Sequence, residues 1–351
     1  MRAYSFDRNT TWNATSILTA ISKENDVQVY PGAALPLSRP PLSAGSEIHG
    51  ASGLDGTDLL PQPLRPANPD GSAVAAMAKA LGAQPPGTAW LVATGALTNV
   101  AQLFEAHPEL VDHLAGVSYM GGAVGGGFTT AVMGEVNGQA RIGNTTPFAE
   151  FNILLDPEAA AAVFHNPRLA QKTTLIPLDV THLVLATPAV QDLLLHGPAG
   201  SCDGAGADGG SQLTGKTVLR TMLVQLLNFF ADTYKKVFGI SSGPPLHDPL
   251  AVAAVLTGTA FEIPFYDYPI NGSADKSSSQ QRERYEVRVV TSGTTAEALL
   301  GQEETGRTVV RLLAPGTGGV RIPRGLDVPL FWQVLEECCT RADEANAQNG
   351  R

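Results

Sequence analysis

The amino-acid sequence predicts an α/β protein with an open, mostly parallel sheet and helices on both faces. Two observations carry that prediction. Short apolar runs bounded by turn residues alternate with segments of helical spacing or alanine-rich composition. The apolar runs are also nearly continuous, without the polar alternation of a sheet that has one wet face, so both faces are expected to be covered. With 351 residues, 43% hydrophobic and 16% charged, the chain can bury a large core. No linker separates two self-sufficient cores, so one domain over 1–351 is expected.

The elements follow in order. "NTTWNATSILTAI" (9–21) is helical. "VQVY" (27–30), "TAWLVAT" (88–94), "GVSYMGG" (116–122) and "TTLIPLDV" (173–180) are rich in β-branched or aromatic residues and read as buried strands. Between them "GSAVAAMAKALG" (71–82), "LTNVAQLFEAHPELVDHLAG" (97–116) and "DPEAAAAVFHNP" (156–167) read as helices. A long helix, "TVLRTMLVQLLNFFADTYKKVFG" (217–239), a helix opened by Asp248, and a closing helix, "VPLFWQVLEECCTRADEA" (328–345), complete the set. Asp156–Pro157 and Asp248–Pro249 each read as an N-cap with proline at the first helical position, where a missing N–H costs nothing. Three glycine- or serine-rich segments, 123–143, 196–216 and 271–284, read as surface insertions.

A formal net charge of −10 argues against a nucleic-acid backbone or an anionic membrane as the main partner. Cys202, Cys338 and Cys339 make no disulfide framework and no zinc spacing, which points to a reducing, cytoplasmic compartment. No apolar run has the length of a membrane span, and the opening "MRAYSFDRNTTWNATS" lacks the core of a signal peptide. The glycosylation sequons at Asn9, Asn13 and Asn271 therefore read as chance.

In open parallel sheets, ligands bind on the loops at the carboxyl ends of the strands, and "VATGALTN", "YMGGA" and "PLDVTH" fall there. In "GNTTPFAEFNILLDPEAA" (143–160), Glu150 and Asn152 flank Phe151. On an extended segment these two face the same side, so a carboxylate and an amide can enter one pocket and suit a sugar; a solvated loop is the alternative. "EIHGASGLDGTDLLP" (47–61) carries His49, Asp55 and Asp58, and turn chemistry accounts for all but His49. In "GPPLHDPLAV" (243–252), capping accounts for Asp248 but not for His247 beside it.

"IHGASGLDG", "ATGALTNVA", "MGGA", "GNTTPFAEFNILLDPEAA" and "LHDPLAVAAVL" occur in the order and form of the inosine–uridine-preferring nucleoside hydrolases. The chain resembles that family from its first helical segment to the C-terminus, and most of all the fungal branch. The resemblance implies the nucleoside hydrolase fold and calcium-dependent hydrolysis of an N-ribosidic bond, giving ribose and a free base. Such a reaction builds positive charge on the ribose and negative charge on the leaving base. A hard cation can hold ribose hydroxyls and acidify a water, and a donor near the base neutralises it. By resemblance Asp248 is a calcium ligand and Thr94 lends a backbone carbonyl to the same ion. Asn144, Glu150 and Asn152 match the ribose-binding set, with Met120 and Phe151 as its apolar wall. His247 matches the proton donor near the base, Tyr234 lies near it, and His49 sits on a loop that covers the pocket. The partner implied is a small-molecule nucleoside, and a homo-oligomer is compatible with the family.

The sequence departs from the family in one respect. Members begin with a strand ending in Asp-x-Asp-Pro-Gly-x-Asp-Asp, which supplies most calcium ligands and the general base. No such motif occurs here, and Ala3 or Tyr4 stands near the place of a further family asparagine. The chain is therefore expected to lack the family's first central strand, as an incomplete gene model or splice form would. Its calcium site should be weak, because calcium takes about six to eight oxygens. "LDGTD" (54–58) lies on a loop and is not expected to substitute. Losing a central strand leaves neighbours with unpaired backbone groups, each costing about 1–3 kcal/mol when buried.

Overall fold

A computed structural model describes residues 3–42, 50–69, 71–136, 138–198, 214–267 and 283–351. Helix α1 (Ala3–Ala20) leads into coil, and α2 (Ala73–Gly82) precedes strand β1 (Trp90–Ala93). Helices α3 (Thr98–Ala106) and α4 (Leu110–His113) connect β1 to β2 (Gly116–Met120). The hairpin β3 (Glu135–Val136) and β4 (Gln139–Ala140) is followed by α5 (Phe151–Leu155), α6 (Pro157–His165), α7 (Pro167–Ala170) and β5 (Thr173–Ile176). Then come α8 (Leu178–Thr181), α9 (Pro188–His196), α10 (Val218–Phe238) and α11 (Asp248–Ala253). Last are β6 (Phe265–Tyr266), β7 (Tyr285–Val289), α12 (Thr295–Leu299), β8 (Thr308–Leu312), β9 (Gly325–Leu326) and α13 (Val328–Gln348).

Strands β1, β2 and β5 form the parallel centre in that order, with Val117 opposite Leu91 on one side and Thr173 on the other. Beyond β5, Arg321 bridges Thr174 in parallel, and Val320 bridges Tyr285 antiparallel, which joins the antiparallel β7–β8 ladder to the sheet. The parallel expectation holds for the centre; the flank and the β6–β9 pair are antiparallel. Side-chain alternation covers both faces. Val117, Tyr119 and Leu175 enter one core with residues of α3 and α6, while Met120 and Ile176 enter a second with residues of α11 and α13. Ser118, on the second face, donates to Ala251 O at 2.6 Å and so ties α11 to β2.

Three expectations change. The segment 27–30 is coil rather than strand. A strand needs a ladder neighbour, and Val29 O instead accepts from Asn68 N in a loop contact. Among the described residues no strand pairs with the outer edge of β1, where Trp90, Leu91 and Val92 are only half-buried although β2 and β5 are buried throughout. The predicted helix 97–116 is broken into α3 and α4, because Pro108 cannot continue the hydrogen-bond ladder. The segment 123–143 does not lie wholly on the surface. Ala123 and Phe128 are buried, and Val124 N and Gly125 N donate to the Asp179 carboxylate at 2.7 and 2.8 Å. Of the other two expected insertions, residues 199–213 and 271–282 lie outside the described residues.

Helix α10, which carries Tyr234, is clamped at its start by a buried arginine. Arg220 bonds Asp343 at 2.5 Å, Glu336 at 2.9 Å, Thr340 at 2.9 Å and Leu194 O at 2.8 Å, joining α10 to α13 and α9. Removing the arginine from such a set leaves its carboxylates without their counter-charge. Arg220→Met should therefore lower the unfolding free energy by about 3–5 kcal/mol in urea titrations. A loss below about 1 kcal/mol would mean that the clamp does not hold the helix.

Candidate functional site

The site forms where β1 and β2 end. Thr94 follows β1 and Met120 closes β2. Glu150, only 2% exposed, caps α5: its carboxylate accepts from Asn152 N at 2.9 Å, Ile153 N at 3.2 Å and Gly122 N at 2.8 Å. Asn152 thus stands in the first helical turn, not on the extended segment expected, because a carboxylate facing two free amides starts a helix there. Both side chains still point inward. Asn152 Nδ2 donates to Met120 O at 3.0 Å and to Thr94 O at 3.4 Å, so one amide spans the ends of both strands. Asn144 Oδ1 accepts from Phe151 N at 2.8 Å. The loop can fold back this tightly because residue 143 is glycine: a Cβ there would lie 2.1 Å from Ala149 O.

A second group closes the site from the side of α10. The Tyr234 hydroxyl lies 2.5 Å from His247 Nε2, and His247 Nδ1 lies 2.8 Å from Thr181 Oγ1. His182 meets the rings of Tyr234, Phe238 and His247 edge-on, and its Nδ1 lies 2.8 Å from Val132 O. Backbone bonds from Ala186 N to Pro244 O and from Leu246 N to Val184 O bring the His247 loop against the segment that follows α8. Asp156 caps α6 as expected, accepting from Ala159 N. Asp248 does not cap: it is the first residue of α11, and His247 takes the cap position without a side-chain cap bond. Its carboxylate is left for the site.

The electrostatics follow from burial. Desolvation pushes Glu150 up to about 7, against the pull of its three amides and with a further push from the Asp248 charge. Desolvation also raises Asp248, to about 6, although solvent reaches part of its surface. The Tyr234 phenol is raised by burial and by the charges of Glu150 and Asp248, and burial lowers His182 to about 4, which keeps it neutral. Hydrogen bonds or mutual electrostatics thus link Thr94, Met120, Asn144, Glu150, Phe151, Asn152, Tyr234, His247 and Asp248 in one region. His49 lies outside the described residues. Reasoning from sequence missed Asp179, Thr181 and His182; the signal available was the polar "PLDVTH" directly after a strand.

The donors present do not fit calcium. Among the described residues no group of three or more His, Cys, Asp and Glu side chains could hold a metal. Asp248 offers a carboxylate and Thr94 a carbonyl, but the Glu150 carboxylate already accepts three amides. Asp55 is spent on Ala51 N and Ser52 of its own turn. Calcium requires about six to eight oxygens, so no step of the chemistry is routed through it here.

Polar groups gathered at the carboxyl ends of parallel strands, beside neutral aromatic rings, define an α/β small-ligand site. The chain belongs to the inosine-uridine preferring nucleoside hydrolase family, whose model matches residues 7–333. It is 32% identical over 342 residues to a uridine nucleosidase of Saccharomyces cerevisiae, covering 96% of this chain and 85% of that one. It is 35% identical over 250 residues to the pyrimidine-specific ribonucleoside hydrolase RihA of Salmonella arizonae, covering 71% and 67%. A solved purine-preferring ribonucleoside hydrolase from Gardnerella vaginalis shares the fold, with a TM-score of 0.67 at 24% identity over 96% of this chain and 86% of that one.

A carboxyl whose folded pKa is raised stabilises the fold below its unfolded pKa, and that contribution disappears as pH rises through the folded value. For Glu150 the window runs from 4.5 to about 7. The melting temperature of the metal-free chain should therefore fall across that window, and Glu150→Gln should flatten the slope. Stability that rises with pH there would contradict the desolvated site.

Proposed function

We propose that this protein hydrolyses the N-glycosidic bond of ribonucleosides to ribose and free base, in cytoplasmic nucleoside catabolism and salvage. The observation that carries the reading is the buried Glu150 carboxylate, pushed up by desolvation and further by the Asp248 charge, in electrostatic reach of Tyr234, which is hydrogen-bonded to His247. As the bond to the base breaks, the ribose gains positive charge and the base negative charge. A buried carboxylate such as Glu150 stabilises the first, and the hydrogen-bonding groups of the Tyr234–His247 pair are the ones available to the second. With Asn152 Nδ2 spent on Met120 O and Thr94 O, its Oδ1 is the atom left for a ribose hydroxyl. Met120 and Phe151 form the apolar wall, and Asn144 completes the sugar contacts. Thr94 O and Asp248 are the donors this chain would offer a cation such as calcium. Assembly into a homo-oligomer is compatible with this reading.

A second reading rests on the shortage of metal donors among the described residues: a ribosyl-binding protein without turnover, on the same fold. Base release from uridine and inosine, with and without calcium and then chelator, separates the two. Turnover that falls about tenfold or more in Glu150→Ala and in Asn152→Ala is the result expected of the hydrolase. Ribose binding by calorimetry without base release is the result expected of the binding protein. Turnover unchanged in both variants would remove Glu150 and Asn152 from the sugar site.

A further inference from the structure

We propose that Thr181 is the positioning residue of His247, fixing both the plane of its ring and its tautomer; the functional consequence rests on the hydrolase reading above. Thr181 stands in the last turn of α8, fully buried, with its hydroxyl 2.8 Å from His247 Nδ1 and 3.4 Å from Leu178 O in its own helix. A carbonyl can only accept a hydrogen bond. With the threonine hydroxyl donating to Leu178 O, its lone pairs face Nδ1, which in this arrangement carries the ring proton. Nε2 is left as an acceptor, and the Tyr234 hydroxyl, 2.5 Å away, donates to it. The three bonds therefore run in one direction, from Tyr234 through His247 and Thr181 to a backbone carbonyl.

The surroundings fit this role. His182, the next residue in the chain, is buried and neutral and packs edge-on against the His247 ring at 5.8 Å between centroids. Asp179, two residues before Thr181, is buried and holds Val124 N and Gly125 N. One short turn so fixes the histidine ring on one side and the loop after β2 on the other. No residue of this turn was identified from sequence, and none belongs to the ribose-facing set.

The test is spectroscopic first and kinetic second. In protein labelled with 15N-histidine, long-range proton–nitrogen spectra read the tautomer of each imidazole, and His247→Asn identifies the relevant signals. We expect the Nδ1–H form in the native chain, a mixture of tautomers in Thr181→Val, and the native pattern restored in Thr181→Ser. In base-release kinetics Thr181→Val should lower kcat about ten- to a hundredfold, with KM held within about twofold, and Thr181→Ser should recover most of kcat. An Nε2–H tautomer in the native chain, or an unchanged spectrum in Thr181→Val, overturns the proposal. If Thr181→Val does not fold, the native and Thr181→Ser spectra still decide it. Spectral changes as expected in a chain without turnover would leave the positioning role standing and remove the hydrolase reading.

Discussion

The grip of one buried carboxylate on three backbone amides holds the site together. Glu150 binds Gly122, which follows β2, together with Asn152 and Ile153, which open α5. These segments are far apart in the chain, and the carboxylate is the node that places the Asn152 amide across the ends of β1 and β2. Charge-assisted bonds to backbone N–H groups are strong, yet burial still outweighs them and holds Glu150 near 7. A negative charge kept at a site that disfavours it is poised to interact with any positive charge that develops nearby, without reorganisation of solvent. The same residue thus organises the local backbone and sets the polarity of the cleft.

Two further devices hold the opposite wall. Arg220 anchors the start of α10 to α13 and α9, and the far end of the same helix presents Tyr234 and Phe238 to the site. The turn at 178–182 holds the loop after β2 through Asp179, His247 through Thr181, and the approach to the β3–β4 hairpin through His182 and Val132. Wall and floor therefore meet through hydrogen bonds made at the ends of β2 and β5. Both strands are buried throughout and are well suited to transmit position.

The sequence made the central strands and most helices legible because their signals are local. β-branched runs gave β2 and β5, and the Asp156–Pro157 cap gave α6. The proposed sugar-side residues were read through a resemblance in motif order, and those that are described lie in one region. Local reasoning ran out where a tertiary partner decides the outcome. "VQVY" has strand composition but no ladder neighbour, and Glu150 uses its carboxylate on a helix start that spacing alone did not suggest. Asp248 resembled Asp156 in sequence but does not cap, since it is the first residue of the helix and His247 takes the cap position. Asp179 and Thr181 stood out only as part of the polar "PLDVTH" after a strand, because their partners, Val124 and His247, are 55 and 66 residues away in the chain.

The half-buried border strand carries a consequence for handling the protein. Trp90–Ala93 is a run of four apolar residues without lysine, proline or a bulge to discourage lateral association, and no described strand covers it. A flank of that kind is a template for intermolecular ladders, so concentrated or partly unfolded preparations are at risk of β-rich precipitation from this border. Loss of soluble material on storage would then report on the margin of the sheet, independently of the state of the candidate site.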